Sequence, residues 1–274
     1  MKTIKITWTC PAGDASTLAR RILEQTHTLI AGTTGSGKSV LLRSIIHTAL
    51  LDYPDERKLI LIDPKRTELW PYRSVPHCIG YASEPDEIIE QLTAALKLID
   101  ERTMRTRARN ANDSDEPDIY VIIDEYADLM TTSKKQAVPL IQRIAQLGRS
   151  SRVHLILATQ RPTRDIITGA IKVNLDCRIA LRVPTPQDSR NIINQSGAEL
   201  LPQWGYGLMV TPQSNEPELI KPHYYSQSET RDLADRWSAQ TKAANKARKR
   251  AAARTAAAWA FGLVAIIAAL VMVP

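Results

Sequence analysis

THTLIAGTTGSGKSVLLRSIIH, residues 26–47, decides how the rest of the chain is read. A short apolar run at 28–31 meets Gly32, which opens the pattern G-x-x-x-x-G-K-S that closes on Gly37, Lys38 and Ser39. Val40, Leu41, Leu42, Ile45 and Ile46 follow at helical spacing. Strand, glycine loop and helix N-terminus therefore stand in the order that phosphate binding requires. Glycines let backbone N–H groups turn inward around a phosphate with no Cβ in the way, and the helix N-terminus adds a partial positive charge. Gly32, Thr33, Thr34, Gly35, Ser36, Gly37, Lys38, Ser39 and Val40 are thus expected to hold a nucleotide. Lys38 is to reach its β- and γ-phosphates, and the Ser39 hydroxyl to ligate Mg²⁺.

A second apolar run, IYVIIDE at 119–125, ends in paired acids about 85 residues further on. At the end of a buried strand, Asp124 can enter the shell of the metal, while Glu125 can orient and deprotonate water. Asp128 reads as a helix-start acid. A third run at 153–158 ends in Thr159 and Gln160, a polar pair able to sense the γ-phosphate. Between the first two runs, LILID at 59–63 is a further buried strand that leaves the sheet through the polar segment PKRTE. Helices are expected at 38–51, 85–107 and 138–147, with more strands at 178–183, 207–210 and, as an edge, 2–8. Strands alternating with helices imply an α/β fold with a mostly parallel sheet and its site at the strand C-terminal ends.

Composition narrows the partners. The 274 residues carry a net charge of +7, but Lys242, Lys246, Arg248, Lys249, Arg250 and Arg254 fall in one stretch without an acid. Removing those six leaves residues 1–241 at +1, so global charge is no evidence for nucleic acid. The three cysteines lack C-x-x-C spacing and read as reduced thiols, and the five histidines lack metal spacing. No signal peptide is visible at the N-terminus. Residues 256–273 are 18 uncharged, essentially apolar positions. As a helix they would extend about 27 Å, close to the ~30 Å hydrocarbon core. The basic stretch before them would stay cytoplasmic. The expectation is a single-pass cell-membrane anchor with the bulk of the chain inside the cell.

AGTTGSGKS, LIDPKRTEL, VIIDEYADLM, LILATQRP with DIITGAIKVN, and DSRNIINQSGAELL come in the order found in the FtsK/SpoIIIE family, and residues 26–237 resemble its motor domain. The resemblance implies a RecA-like P-loop fold, ATP and Mg²⁺ as ligands, and a hexameric ring that moves DNA, usually double-stranded. It implies Lys38 and Ser39 on phosphate and metal, Asp124 and Glu125 as metal-shell and water-activating acids, and Gln160 as γ-phosphate sensor. It also implies an arginine acting on the neighbouring subunit's site, with Arg149 first and Arg152 second. Arg161, Arg164 and Lys172 would line the DNA path. The organisation expected is an N-terminal extension at 1–25, the motor at 26–237, a basic linker at 238–255 and a transmembrane helix at 256–273. The short form, lacking a sequence-reading winged helix, suggests conjugative or mobile-element transfer, with a relaxase or other transfer protein as partner, beside chromosome segregation. An ABC-type ATPase or a GTPase would need L-S-G-G-Q or N-K-x-D, and neither is present. The remaining alternative is a non-translocating membrane adaptor that keeps the fold to recruit a DNA-processing protein.

Overall fold

A computed structural model of the chain describes residues 15–52 and 57–239. In chain order the elements are α1 (Ala15–Leu23), β1 (His27–Ala31), α2 (Lys38–Asp52), β2 (Arg57–Ile62), β3 (Cys78–Ala82), α3 (Pro85–Ala108) and β4 (Asp118–Ile123). They continue with α4 (Tyr126–Thr132), α5 (Lys134–Leu147), β5 (Val153–Thr159), α6 (Gly169–Lys172), β6 (Cys177–Leu181), α7 (Pro186–Ile193), β7 (Gly207–Thr211) and β8 (Ser214–Ile220). Residues 227–239 are again helical.

The eight strands among the described residues form one sheet in the order β3-β2-β4-β5-β1-β6-β7-β8. The pairs from β3 to β6 are parallel, and β7 and β8 close the far edge antiparallel. The reason that the central strands read as unbroken apolar runs is visible in β4. Ile119, Val121 and Ile123 enter the core beneath α3 and α5, while Tyr120 and Ile122 enter the core beneath α1 and α2. A strand covered on both faces has no solvent side to make polar. α2 is enclosed almost completely, with Leu41, Leu42, Ile45, Ile46 and Leu50 at 1 % exposure or less. α1 belongs to the same core through Leu18, Ile22 and Leu23, and the Tyr120 hydroxyl donates to the Leu23 carbonyl at 2.8 Å.

Within the described residues the expected strands and helices recur with shifted ends. The helix read as 138–147 starts at Lys134, four residues earlier, so that Pro139 lies inside it. β3, β8 and α7 had no counterpart in the sequence reading. Among the described residues no helix is long and apolar enough to cross a membrane. The expected edge strand at 2–8, Cys10, the chain from 240 to 255 and the apolar run 256–273 lie outside the described residues. Cys78 and Cys177 are both free thiols.

Candidate active site

The sheet order dictates which residues meet. β1 ends in the glycine loop, β4 ends in the paired acids, and β5 lies between them and ends in Thr159 and Gln160. The loop is fastened to both neighbours of β1. The Gly32 N–H donates to the Thr159 carbonyl at 3.2 Å, and the Thr33 N–H to the Arg182 carbonyl at 3.0 Å. At Gly37 the backbone has φ 101°, and a Cβ there would meet Gly205 Cα at 2.5 Å. Gly205 in turn donates its N–H to the Ser36 carbonyl at 3.0 Å. The segment around exposed Trp204 therefore seats directly on the glycine loop, a neighbour that the sequence reading missed.

Lys38 opens α2 and is buried, with Nζ donating to Asp124 Oδ1 at 2.5 Å and to the Asp124 carbonyl at 2.7 Å. Burial pushes the Asp124 carboxyl above the usual carboxylate range, and Lys38 pulls it back only in part. The pair keeps a cation and an anion stored at one point. A phosphate draws the first and a divalent metal the second. Ser39, half-buried at the same helix start, and the buried Ser36 hydroxyl, which has no partner among the described residues, complete a cradle that fits a phosphate with Mg²⁺. Thr34, Gly35 and Val40 flank it, and nothing lies within 4 Å of a Cβ placed on Gly35.

Glu125 is buried next to that pair, and donors surround it. Thr159 Oγ1 donates to Oε1 at 2.9 Å, and the Gln160 N–H reaches Oε1 at 3.1 Å and Oε2 at 3.3 Å. Lys65 Nζ closes on Oε2 at 3.3 Å. Gln160 Oε1 accepts from Thr34 Oγ1 at 2.8 Å, which ties the β5 end to the glycine loop. The structure thus brings Lys38, Asp124, Glu125, Gln160 and the loop together, and adds Thr159 and Lys65. The signal for Lys65 was the polar segment after β2, noted but given no role. Its order comes from Asp63, whose carboxylate accepts the N–H groups of Thr67, Leu69 and Trp70 at 3.3, 3.0 and 3.1 Å.

The arginines lie elsewhere. Arg149 is exposed just beyond the C-terminus of α5, before β5 begins, at the sheet edge opposite Gln160. The seven residues of β5 put about 23 Å between those edges. Arg152, the second candidate, has φ 54° and is held by Asp118 through Nε at 2.7 Å and Nη2 at 2.9 Å, so its guanidinium is committed within its own subunit. Of the residues expected on DNA, Arg161 and Arg164 are exposed after β5. Lys172, the third of them, is half-buried and engaged within the chain. Its Nζ donates to the carbonyls of Asn191 at 2.6 Å and Arg190 at 3.3 Å, capping α7 rather than standing free. Burial, with Arg178 and Arg164 nearby, pushes its pKa down to about 8.

Known proteins share both the motifs and the architecture. The "DNA translocase FtsK" of Corynebacterium glutamicum is 35% identical over 239 residues, covering 78% of this chain and 26% of that protein. The protein of the same name from Listeria monocytogenes is 37% identical over 238 residues, 79% of this chain and 31% of its own length. The chain therefore spans about a quarter to a third of the curated relatives it matches. A solved structure of the pCW3 conjugation coupling protein TcpA, in monomer form with ATPγS, superposes with a TM-score of 0.67 over 78% of this chain and 65% of that one. At 23% identity that likeness is one of fold: an α/β sheet of the P-loop ATPase kind. The FtsK/SpoIIIE profile matches residues 12–117 and 103–164, a span that holds the glycine loop, Lys65, Asp124, Glu125 and Gln160. The chain belongs to the FtsK/SpoIIIE family.

Proposed function

We propose that this chain is an ATP-driven DNA translocase, tethered to the cell membrane through 256–273 with its motor on the cytoplasmic side. The observation that carries the reading is the assembly of Lys38, Asp124, Glu125 and Gln160 at adjoining strand ends, which is what hydrolysis needs and binding alone does not. Lys38 and the loop N–H groups would hold the phosphates. Ser39 and Asp124 would hold Mg²⁺, which neutralises charge on the phosphates when bound. Glu125 would take the proton of the attacking water, and Gln160 would register the γ-phosphate.

DNA as the substrate is supported by the family and by relatives named as DNA translocases. Arg161 and Arg164 are the exposed cations offered to it. A homo-hexameric ring is supported by the place of Arg149, too far from its own glycine loop to serve it but free to face a neighbour's. Conjugative or mobile-element transfer, with a relaxase or other transfer protein as partner, is the occasion we favour over segregation.

The test is ATP turnover of the full chain with and without duplex DNA, single-stranded DNA serving as comparison. The proposal expects duplex DNA to raise turnover severalfold. Nucleotide binding with no turnover in any condition would instead support the adaptor reading.

A further inference from the structure

Glu125 must offer an oxygen to water, yet in this structure both carboxylate oxygens already accept from donors of the chain. Oε1 is taken by Thr159 Oγ1 and the Gln160 N–H, and Oε2 by Lys65 Nζ at 3.3 Å, with the same Gln160 N–H shared onto it. The ammonium contact is the one among these that carries a charge, and at 3.3 Å it is longer than the bond from Thr159 at 2.9 Å. Lys65 is also the donor best able to let go. It is 39% exposed on a flexible stem, whereas Thr159 and the Gln160 N–H belong to the strand end. Its backbone, by contrast, is fixed. Asp63-Pro64-Lys65-Arg66 is a turn closed by the Arg66 N–H on the Asp63 carbonyl at 3.0 Å, with Asp63 bonded to the loop beyond and Arg66 paired with Glu84. A second carboxylate waits within reach. Lys65 Nζ lies 3.7 Å from Asp128 Oδ2, in the first turn of α4, where nothing in the hydrolytic assembly needs it.

We propose that Lys65 is a positioning residue with two partners: it restrains Glu125 in the resting state and frees it by passing to Asp128. The inference rests on the reading that Glu125 activates water. In the restrained arrangement Oε2 is spent on the ammonium. After the shift, Oε2 keeps only the shared contact from the Gln160 N–H and can accept the water proton, while Lys65 keeps its charge paired. The neighbouring cations are already engaged, Lys38 with Asp124 and Arg66 with Glu84, so Lys65 is the one aimed at Glu125 among the described residues.

The experiment compares steady-state ATP turnover of the full chain, with and without duplex DNA, in Lys65→Met, Asp128→Asn and the double variant. Removing the restraint should raise DNA-free turnover about tenfold or more and collapse the stimulation ratio. Asp128→Asn removes the release partner, so DNA-stimulated turnover should fall by a similar factor with the KM for ATP unchanged. The double variant should behave like Lys65→Met, because a released base has no need of Asp128. Lys65→Arg, which keeps the cation, should keep the low basal rate, and melting curves should show all four folded. A Lys65→Met enzyme slower than wild type in both conditions, or a double variant that adds the two effects, overturns the inference and leaves the hydrolytic reading standing. A wild-type chain that turns over no ATP at all overturns both.

Discussion

Lys38 and Asp124 form a buried ion pair whose two halves, on the proposed reading, would be drawn to phosphate and to metal. Removing one partner of such a pair costs about 3–5 kcal/mol, because the other charge stays in a poorly solvated place. Lys38→Ala should therefore abolish nucleotide binding and also lower the stability of the nucleotide-free chain by up to about that much, with proton uptake by Asp124 limiting the loss. Adding Asp124→Asn should recover part of the stability and none of the binding. Urea titrations at neutral pH beside ATPγS titrations would measure both. That Lys38, Asp124, Glu125 and Gln160 come together was legible, because a glycine loop and polar groups closing apolar runs mark one edge of a parallel sheet. What was not legible is pairing. That Lys65 faces Glu125 depends on β2 and β4 being sheet neighbours, and nothing in the LIDPKRTEL stretch states that adjacency. Lys172 is a second case, since a lysine in a basic segment says nothing of the α7 carbonyls that it caps.

At the scale of elements, the glycine loop is held from outside as well as by its own turns. A methyl on Gly37 would meet the Gly205 backbone and would force a residue with φ 101°. Gly37→Ala should lift the segment around Trp204 off the loop, weaken ATPγS binding at least tenfold and cost about 1–3 kcal/mol of stability. Calorimetric titration and thermal melting would read the two effects, and unchanged affinity would mean that the 201–206 segment does not shape the loop. Central strands and long helices could be read because burial on both faces, or a 3.6-residue period, leaves a strong pattern. The edges could not. β3 is five residues of mixed exposure, and β8 carries polar side chains and Pro217, a composition that only an edge strand accepts.

The whole molecule stores a pH dependence in its core. Burial pushes His27 and His47 from 6.5 down to about 4, and His27 Nδ1 accepts the Leu155 N–H at 2.9 Å, a bond that protonation there would break. Between pH 6.5 and 4 the unfolded chain binds these protons and the folded chain does not, so stability is full above 6.5 and is lost as pH falls. For His27 alone the loss is on the order of 3 kcal/mol. Urea midpoints at pH 8 and pH 5 should show it, and His27→Asn, which keeps an acceptor but cannot titrate, should flatten the slope. The proposed ring would be a second property of this scale. If Arg149 serves a neighbour, Arg149→Ala should stop DNA-stimulated turnover with ATP affinity intact, and mixing it with Lys38→Ala subunits should restore part of the rate. Mixtures that assemble but stay inactive at every ratio would count against Arg149 acting between subunits. The proposed motor function and the Lys65 restraint both depend on hydrolysis at Glu125. The most direct measurement is ATP turnover and ATPγS affinity of Glu125→Gln in the full chain with duplex DNA. The account predicts affinity within about twofold of wild type and turnover lowered at least a hundredfold. Hydrolysis at the wild-type rate would contradict it.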